Sequence, residues 1–379
     1  MITRAKHKTL TIKGSARLIA VSDIHGHLDR FKALLRKVHY NPLEDYLVII
    51  GDFVEKGDQV LETIHYLMYL SQFPKCIILL GNCEWALDAL LHIPELAIEI
   101  PRYLKRVSAN GLIRTLYHEG HYDDGHETML GMQKQMVQKV AQEFAFIESL
   151  PVTLNVNNKL IFVHAGLENR DNYKECGLSS YLEMQRFLEM GHPFKQTVVV
   201  GHLPTSNYDP AHICNDIIID EKKRIIAIDG GTGVKMISQL NALIIHFENG
   251  QRRYEKENVM PLPTMRVRCD VAGDPGPDHK IAFPHYEVEM IHEGEQFSQC
   301  YQEDTSALLM IKNEFLYERN GQLYCLDDYC DHQMTLHKGD LVKVAGIYGD
   351  YAYVSFHQEV GWVKLDFLEG AEHGKEEKN

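Results

Sequence analysis

The sequence predicts an α/β domain with a largely parallel sheet, followed by a small all-β domain. Two observations predict it. Over the first two-thirds of the chain, near-continuous apolar runs alternate with stretches of helical spacing. Beyond about residue 280 the pattern becomes short alternating strands. Strand, helix, strand in succession gives parallel pairing, and short strands without helices give a separate β fold.

The runs are 17–21 (RLIAV), 46–50 (YLVII), 76–80 (CIILL), 160–163 (LIFV) and 197–200 (TVVV). Their length and β-branched content read as strands buried on both faces. Leu28, Phe31, Leu34, Leu35 and Val38 have helical spacing between the first two runs, and Val60, Ile64, Leu67 and Met68 repeat it before the third. Residues 84–150 read as a helical cap insertion, broken by Pro94, Pro101 and the polar stretch 120–127. Runs at 217–220, 224–231 and 240–247 read as antiparallel strands that close a domain spanning 1–255. Pro261, Pro263, Pro275 and Pro277 mark 256–280 as a linker. Residues 281–370 are expected to form the β domain, barrel-like in pattern, and the weak likeness of IHEGEQF (291–297) to LHKGDLV (336–342) suggests a tandem. The tail 371–379 is expected to be disordered.

The net charge of −14 sets the chain against nucleic-acid duplexes, whose phosphates it would repel. It does not set it against a phosphorylated substrate, because bound divalent ions reverse the local sign. Eight cysteines in 379 residues are too sparse for a disulfide scaffold. No leader and no membrane-length apolar run is legible, so a cytoplasmic protein with reduced thiols and no membrane partner is expected.

Each buried run of the first domain ends in a metal-capable residue: Asp23 and His25, then Asp52, Asn82, His164 and His202. Ligands gather beyond the carboxyl ends of strands in such sheets, so these side chains converge on one place. Asp-x-His sets two of them on one side of a strand end. Carboxylate, amide and imidazole together suit Mn, Fe or Zn better than Ca or Mg.

The set SDIHG (22–26), GDFVEKG (51–57), GNCE (81–84), HAG (164–166) and GHLP (201–204) resembles the calcineurin-like metallophosphoesterases over residues 16–247. Within them it is most similar to the phosphoprotein phosphatases and the bacterial diadenosine-tetraphosphatase type. The resemblance implies a β-sandwich flanked by helices, with two divalent metals at the sheet edge, Mn first and Fe or Zn as alternatives. It implies Asp23 and His25 on the first metal, Asp52 bridging, and Asn82, His164 and His202 on the second. A hydroxide activated by both ions would attack a phosphomonoester in line. The second β repeat, with GDLV, YAYVSF and GWVKL, resembles a bacterial Src-homology-3-like module and suggests a peptide or protein partner, or docking on the parent domain.

Three positions depart from the family pattern. Glu55-Lys56-Gly57 stands where Asp-Arg-Gly is usual, so the forked grip of Arg on phosphate becomes a point charge. Asn82-Cys83-Glu84 stands where Asn-His-Glu is usual, and a thiol is a weak donor to a leaving group. Met184 falls where a second phosphate-binding Arg is common, with Arg186 pointing nearly the opposite way. Asp52, Glu55, Lys56 and Cys83 are therefore the expected catalytic groups, with Lys56 and Arg170 as substrate contacts. Three readings follow: a phosphomonoesterase acting on phosphoprotein or peptide; a phosphodiesterase or nucleotide hydrolase; and a catalytically weak metal-binding scaffold.

Other signals read more plainly. Cys325, Cys330, His332 and His337 have loose zinc spacing but read as an exposed loop. His121, Asp123, Asp124 and His126 read as a solvated loop of the cap. His27 reads either as a cleft residue or as a polar helix start, and Cys83 as a packed, inert thiol.

Overall fold

The computed structural model describes residues 1–106, 111–119, 129–209, 211–274 and 279–369. The polar cluster at 121–126, Pro275, Pro277 and the tail lie outside the described residues. The chain divides into two compact units. One comprises Met1–Thr205, Ile217–Val234 and Gln239–Val259; the other comprises Ser206–Asp216, Lys235–Ser238 and the described part of Met260–Asn379.

The strands of the first unit are β1 (His7–Leu10), β2 (Ala16–Val21), β3 (Tyr46–Ile50), β4 (Cys76–Leu79), β5 (Thr153–Val156), β6 (Leu160–Val163), β7 (Thr197–Val200), β8 (Ile218–Asp220), β9 (Ile225–Ala227), β10 (Leu240–Glu248) and β11 (Gln251–Val259). They form two sheets, in the orders β1-β5-β6-β7-β9-β8 and β11-β10-β2-β3-β4. Leu18, Ala20, Val48 and Ile50 from one sheet meet Leu154, Phe162, Val199 and Ile226 from the other in one buried core. This is the sandwich that the resemblance implies, rather than the single sheet that the apolar runs alone suggest. A strand covered by a helix on one face and a sheet on the other carries the same uninterrupted apolar run as one covered by helices on both. The expected closing strands are present: β9 joins β7 in parallel and β8 in antiparallel pairing, and β10 runs antiparallel to β2.

Helices α1 (Leu28–Lys37) and α2 (Val60–Leu70) bury Phe31, Leu34, Ile64 and Leu67. Within 84–150 the described residues are mostly helical: α3 (Asn82–His92), α4 (Ile100–Leu104), α5 (Leu112–Glu119), α6 (Met129–Lys139) and α7 (Ala141–Ser149). Pro101 sits in the first turn of α4, where its missing N–H costs nothing. Buried Gln133 on α6 donates to the carbonyls of Leu90 and Ile93, both at 2.8 Å, and so satisfies the end of α3. Two short helices, α8 (Leu178–Glu183) and α9 (Phe187–Met190), precede β7.

The second unit is all β. One five-stranded sheet holds 287–292, 297–302, 307–312, 316–319 and 322–325; another holds 264–267, 341–348, 351–356, 359–364 and 368–369. Two cores lie in this unit: one around Phe315, Tyr329 and Trp362 draws on strands of both sheets, and the other gathers Val342, Val354 and Val363 of the second sheet. The succession of three antiparallel strands, a single 3-10 turn and a short strand occurs twice, with the turns at Asn313–Phe315 and Leu365–Phe367. Thr264–Val267, inside the stretch read as linker, is a strand paired with 341–343 and 368–369. Cys325 and Cys330 are buried in the first of these cores rather than held in an exposed loop. All eight cysteines are free. Among the described residues no helix is long and apolar enough to cross a membrane.

Candidate metal centre

β2, β3 and β4 run parallel in one sheet, and β6 and β7 run parallel in the other. Their carboxyl ends bring Asp23, His25, Asp52, Asn82, His164 and His202 together. The turns beyond the strands are unusual. Asp23, His25, Asp52 and His202 all lie in the left-handed region, at φ of 54°, 48°, 51° and 69°. Such backbones cost of order 1–3 kcal/mol each and persist only where the surroundings fix them. Asp23 and His25 thus reach one side through two left-handed residues beyond the strand, not through strand alternation. Backbone bonds between the loops hold this shape: the Asp23 amide donates to Gly51 O (3.2 Å) and the His25 amide to Asp52 O (3.0 Å). Gly81 and Gly201 keep the loops close, since a Cβ on Gly81 would strike Asp52 and one on Gly201 would strike Ser22 and Asp23.

Asp52 is the hinge of the cluster. His25 Nε2 lies 3.8 Å from its Oδ2, and His164 Nε2 lies 3.4 Å from its Oδ1. His25 Nδ1 faces Val54 O at 3.1 Å, and His164 Nδ1 faces Ile50 O at 2.8 Å. A carbonyl only accepts, so each Nδ1 carries the proton and each Nε2 turns its lone pair towards Asp52. Asp23 Oδ1 is 3.9 Å from His25 Nε2, is buried, and has no hydrogen-bond partner. On the far side, Asn82 Oδ1 lies 2.9 Å from both His164 Nε2 and His202 Nδ1. An oxygen turned towards both ring nitrogens suits a shared cation. With the amide turned over, its nitrogen instead lies within donating distance of both rings, of Asp52 Oδ2 (3.2 Å) and of Leu182 O (3.3 Å), more acceptors than its two hydrogens can serve. Two donor groups result here, His25, Asp52 and Cys83 on one side and Asp52, His164 and His202 on the other, sharing the one carboxylate.

The electrostatics point the same way. Asp23, Asp52, Glu84 and Asp229 are all at most 3% exposed. Burial, then the charges of Asp229 and Asp52, pushes the Asp23 carboxyl well up. Burial opposes the charge on Asp52, but the imidazoles of His164 and His25 and the hydrogen bonds from Cys83 outweigh it and hold it at about 2. Burial lowers His25, and burial with the neighbouring His164 lowers His202 to about 4, so both rings are neutral donors at pH 7. Buried carboxylates beside neutral imidazoles need positive charge from elsewhere. The donor set and the orphaned Asp23 oxygen both fit a pair of divalent cations.

The remaining expected residues divide. Cys83 donates its amide (2.9 Å) and thiol (3.1 Å) to Asp52. Burial and the charges of Asp52 and Glu84 push that thiol well up, so it stays protonated. Glu55 is buried and Lys56 exposed, both with left-handed φ (64° and 66°). Arg170 is not brought in: its exposed guanidinium is held by Glu168, which also accepts from Gly177 N and Ser180 Oγ. Arg186 pairs with Glu189. His27 is half-buried and its Nδ1 faces His25 O at 2.7 Å.

Sequence reasoning missed several groups. Glu84 accepts four backbone amides: Asp52 (3.0 Å) and Gly81 (2.9 Å) on Oε2, Phe53 (2.9 Å) and Val54 (3.0 Å) on Oε1. Burial and Asp52 raise its carboxyl to about 8 against the pull of those amides. Gln185 meets His202 Nε2 at 2.9 Å. Asp229 charges the site from the end of β9. Tyr103 on α4 hydrogen-bonds Glu55. Arg30 reaches Thr232 at 3.3 Å beside His27. Only Glu84, in the quoted GNCE motif, and Asp229, in the IDGG turn, had a local signal.

Residues 16–228 match the family model described as calcineurin-like phosphoesterase. The chain is 42% identical over 77 residues to a symmetrical bis(5'-nucleosyl)-tetraphosphatase of Pseudomonas syringae pv. syringae (strain B728a), covering 20% of this chain and 26% of that one. It is 44% identical over 70 residues to the enzyme of that name from Shewanella loihica (strain ATCC BAA-1088 / PV-4), covering 18% and 25%. The chain thus spans about a quarter of the length of these relatives. Among solved structures, a protein serine/threonine phosphatase from Saccharomyces cerevisiae is 14% identical with a TM-score of 0.41, covering 69% of this chain and 86% of that one.

Proposed function

The chain belongs to the calcineurin-like phosphoesterase family, and on that premise we propose that it hydrolyses a phosphoryl bond whose leaving group departs as a stable anion. Nucleotide polyphosphates and phosphodiesters come ahead of phosphoprotein monoesters. One observation carries this: the group bonded to Asp52 where the family places an imidazole is the Cys83 thiol, whose proton is held tightly. A substrate turned over at such a site must ask little of its proton donor.

Asp23, His25 and Asp52 would hold one divalent ion, and Asp52, Asn82, His164 and His202 the other. When bound, the ions supply an acidified water and neutralise phosphoryl charge. The chain's own residues do the rest. Val54 O and Ile50 O fix the tautomers of His25 and His164. Glu84 fixes the loop that carries Asp52. Lys56 offers phosphate a point charge rather than a fork. Gly233 packs between His27 and Lys56, and Arg30 lies beside the same segment at Thr232. Two cations along one rim favour a substrate with more than one phosphate. The names of the relatives above agree with a nucleotide substrate, over the quarter of their length that is shared.

The test is a panel with the Mn-loaded full chain: a symmetrical dinucleoside tetraphosphate, bis(p-nitrophenyl) phosphate, p-nitrophenyl phosphate and a phosphoserine peptide. The first two should be turned over at least about a hundredfold faster than the last, the scale of a missing proton donor. Cys83→His should raise peptide turnover by about the same factor. A wild-type chain fastest on the phosphoserine peptide would reject this reading in favour of the phosphomonoesterase. Inactivity across the panel would leave the metal-binding scaffold. The β unit, with its repeated strand order, is read as a Src-homology-3-like pair that recruits a protein partner.

A further inference from the structure

The five-stranded sheet at 287–325 has two unlike faces. Val288, Cys300, Leu309 and Ile311 point into the buried core. Directly paired residues of an antiparallel sheet share a face, as do residues two apart along a strand. Glu289 pairs with Tyr301 and Tyr301 with Leu308, while Gln299 pairs with Met310. Glu287 pairs with Tyr324 and Tyr324 with Tyr317. All of these therefore lie on the other face. Leu308, Met310 and Tyr317 are 50%, 45% and 41% exposed there, and Tyr317 stacks on Tyr324 with ring centres 5.6 Å apart. Apolar side chains gathered on one open face mark an interaction surface, whereas scattered ones do not.

Glu287, Glu289 and Tyr301 of this face also line a groove of about 770 Å³, together with Glu303, Asp304 and Glu318. Five carboxylates line it, and no lysine, arginine or histidine does. Asp304 faces the ring of His285 at 2.8 Å, and Glu287 accepts from the Tyr324 hydroxyl at 3.0 Å. Among the described residues Glu287, Glu289, Glu303 and Glu318 make no ion pair. Acidic residues alone would be a solvated edge. Here they stand beside an open apolar row, and Glu289 and Leu308 are two strands apart, about 10 Å.

We propose that the groove and this row dock an extended segment of a partner protein in which lysine or arginine alternates with apolar residues. This rests on the reading of the β unit as a recruiting module and gives that module its partner chemistry. An extended chain sends alternate side chains to opposite sides. Its cations enter the groove while its apolar residues cover Leu308 and Met310. A metal cation would leave the apolar row unused, and an acidic partner or a nucleic acid would be repelled.

The probe is a labelled ten-residue peptide of alternating lysine and valine, titrated into the full chain by fluorescence anisotropy. Two further peptides replace valine by serine or lysine by glutamate. The lysine–valine peptide should bind at least about tenfold tighter than the lysine–serine peptide, the scale of one apolar side chain buried. The glutamate–valine peptide should not compete. Glu287→Lys combined with Glu289→Lys should weaken binding at least about tenfold, because it adds repulsion as well as removing attraction. Leu308→Ser combined with Met310→Ser should do about the same. All four side chains are exposed, so the thermal midpoint should hold. Glu95→Lys combined with Glu248→Lys changes the net charge equally at exposed sites of the other unit and should weaken binding under about threefold. Equal losses from the two charge-reversed pairs would mean that the overall charge of −14 attracts the peptide. That result, or equal affinity for the lysine–serine peptide, overturns the groove and leaves the recruiting reading standing. Binding of none of the three peptides overturns both.

Discussion

The two units bury charge in opposite ways. In the β unit, Asp328 accepts from Lys235 Nζ (2.5 Å), the Tyr286 hydroxyl (2.8 Å) and the Ser206 hydroxyl (3.1 Å). Lys280 donates to the carbonyls of Ser206, Asp209 and His212 at 2.5, 2.7 and 2.8 Å. Each buried charge there meets partners from the chain itself. In the α/β unit, Asp23, Asp52, Glu84 and Asp229 are buried together, and the cation of the nearest loop, Lys56, is exposed. Both arrangements contain buried carboxylates. The difference is completeness: the first network closes on itself and is structural, while the second closes only when positive charge is added from outside.

Breaking each network should therefore give different phenotypes. Asp52→Asn should produce the largest change. Losing the shared carboxylate removes several kcal/mol of charge stabilisation in the reaction, on the order of a thousandfold or more in turnover. Metal content should fall to near zero, and the chelated variant should remain folded because a like charge beside Asp23 is gone. A variant that kept both ions would break the comparison. Lys235→Met should leave metal content and turnover untouched and instead lower unfolding stability. Breaking a buried pair costs about 3–5 kcal/mol, and the lower end is expected because Asp328 retains Tyr286 and Ser206. Urea unfolding with and without chelator separates the two cases.

The same contrast explains what was legible in the sequence. Asp23, His25, Asp52, Asn82, His164 and His202 could be found because each directly follows an apolar run, and the strand ends themselves create the site. The two-sheet core was less visible from the runs alone, because burial by a sheet and burial by a helix leave the same apolar pattern. Tyr103, Gln185 and Arg30 were invisible for another reason. Their partners lie 48, 17 and 202 positions away (Glu55, His202 and Thr232), and no local period marks such a contact. The β unit's charge network is equally silent: Lys235 and Asp328 are 93 residues apart. Its strand at Thr264–Val267 was hidden by the neighbouring prolines, which mark breaks in the chain but not the four residues between them that pair.

Glu84 sharpens the comparison from inside the α/β unit, because it is buried, acidic and fully satisfied by backbone. It belongs with the closed networks although it sits in the open one. Glu84→Gln replaces an acceptor oxygen by an amide NH2 that must face at least one backbone N–H. It should cost about 2 kcal/mol of stability, in the range for a buried donor left unsatisfied. Loosening the Asp52 loop should also weaken metal binding by about 10- to 100-fold, as removal of outer-shell support does elsewhere. Isothermal titration with Mn and a denaturant series would measure both. An unchanged metal affinity would mean that the left-handed turn at Asp52 is held by its bonds to the His25 loop alone.

Arg170 carries the smallest expected effect and tests the boundary of the site. Its guanidinium is fully exposed and already engaged with Glu168, whose carboxyl is held at about 2 chiefly by the hydrogen bonds from Ser180, Gly177 and Arg170. An exposed ion pair of this kind contributes little, so Arg170→Ala should change kcat/KM by less than about twofold on any ester of the panel. Lys56→Ala, by contrast, should raise KM because it removes the cation of the Asp52 loop. If Arg170→Ala matched Lys56→Ala, Arg170 would have to leave Glu168 when substrate binds. The loop after His164 would then be a second phosphate contact, drawn from the same strand end that supplies a candidate ligand.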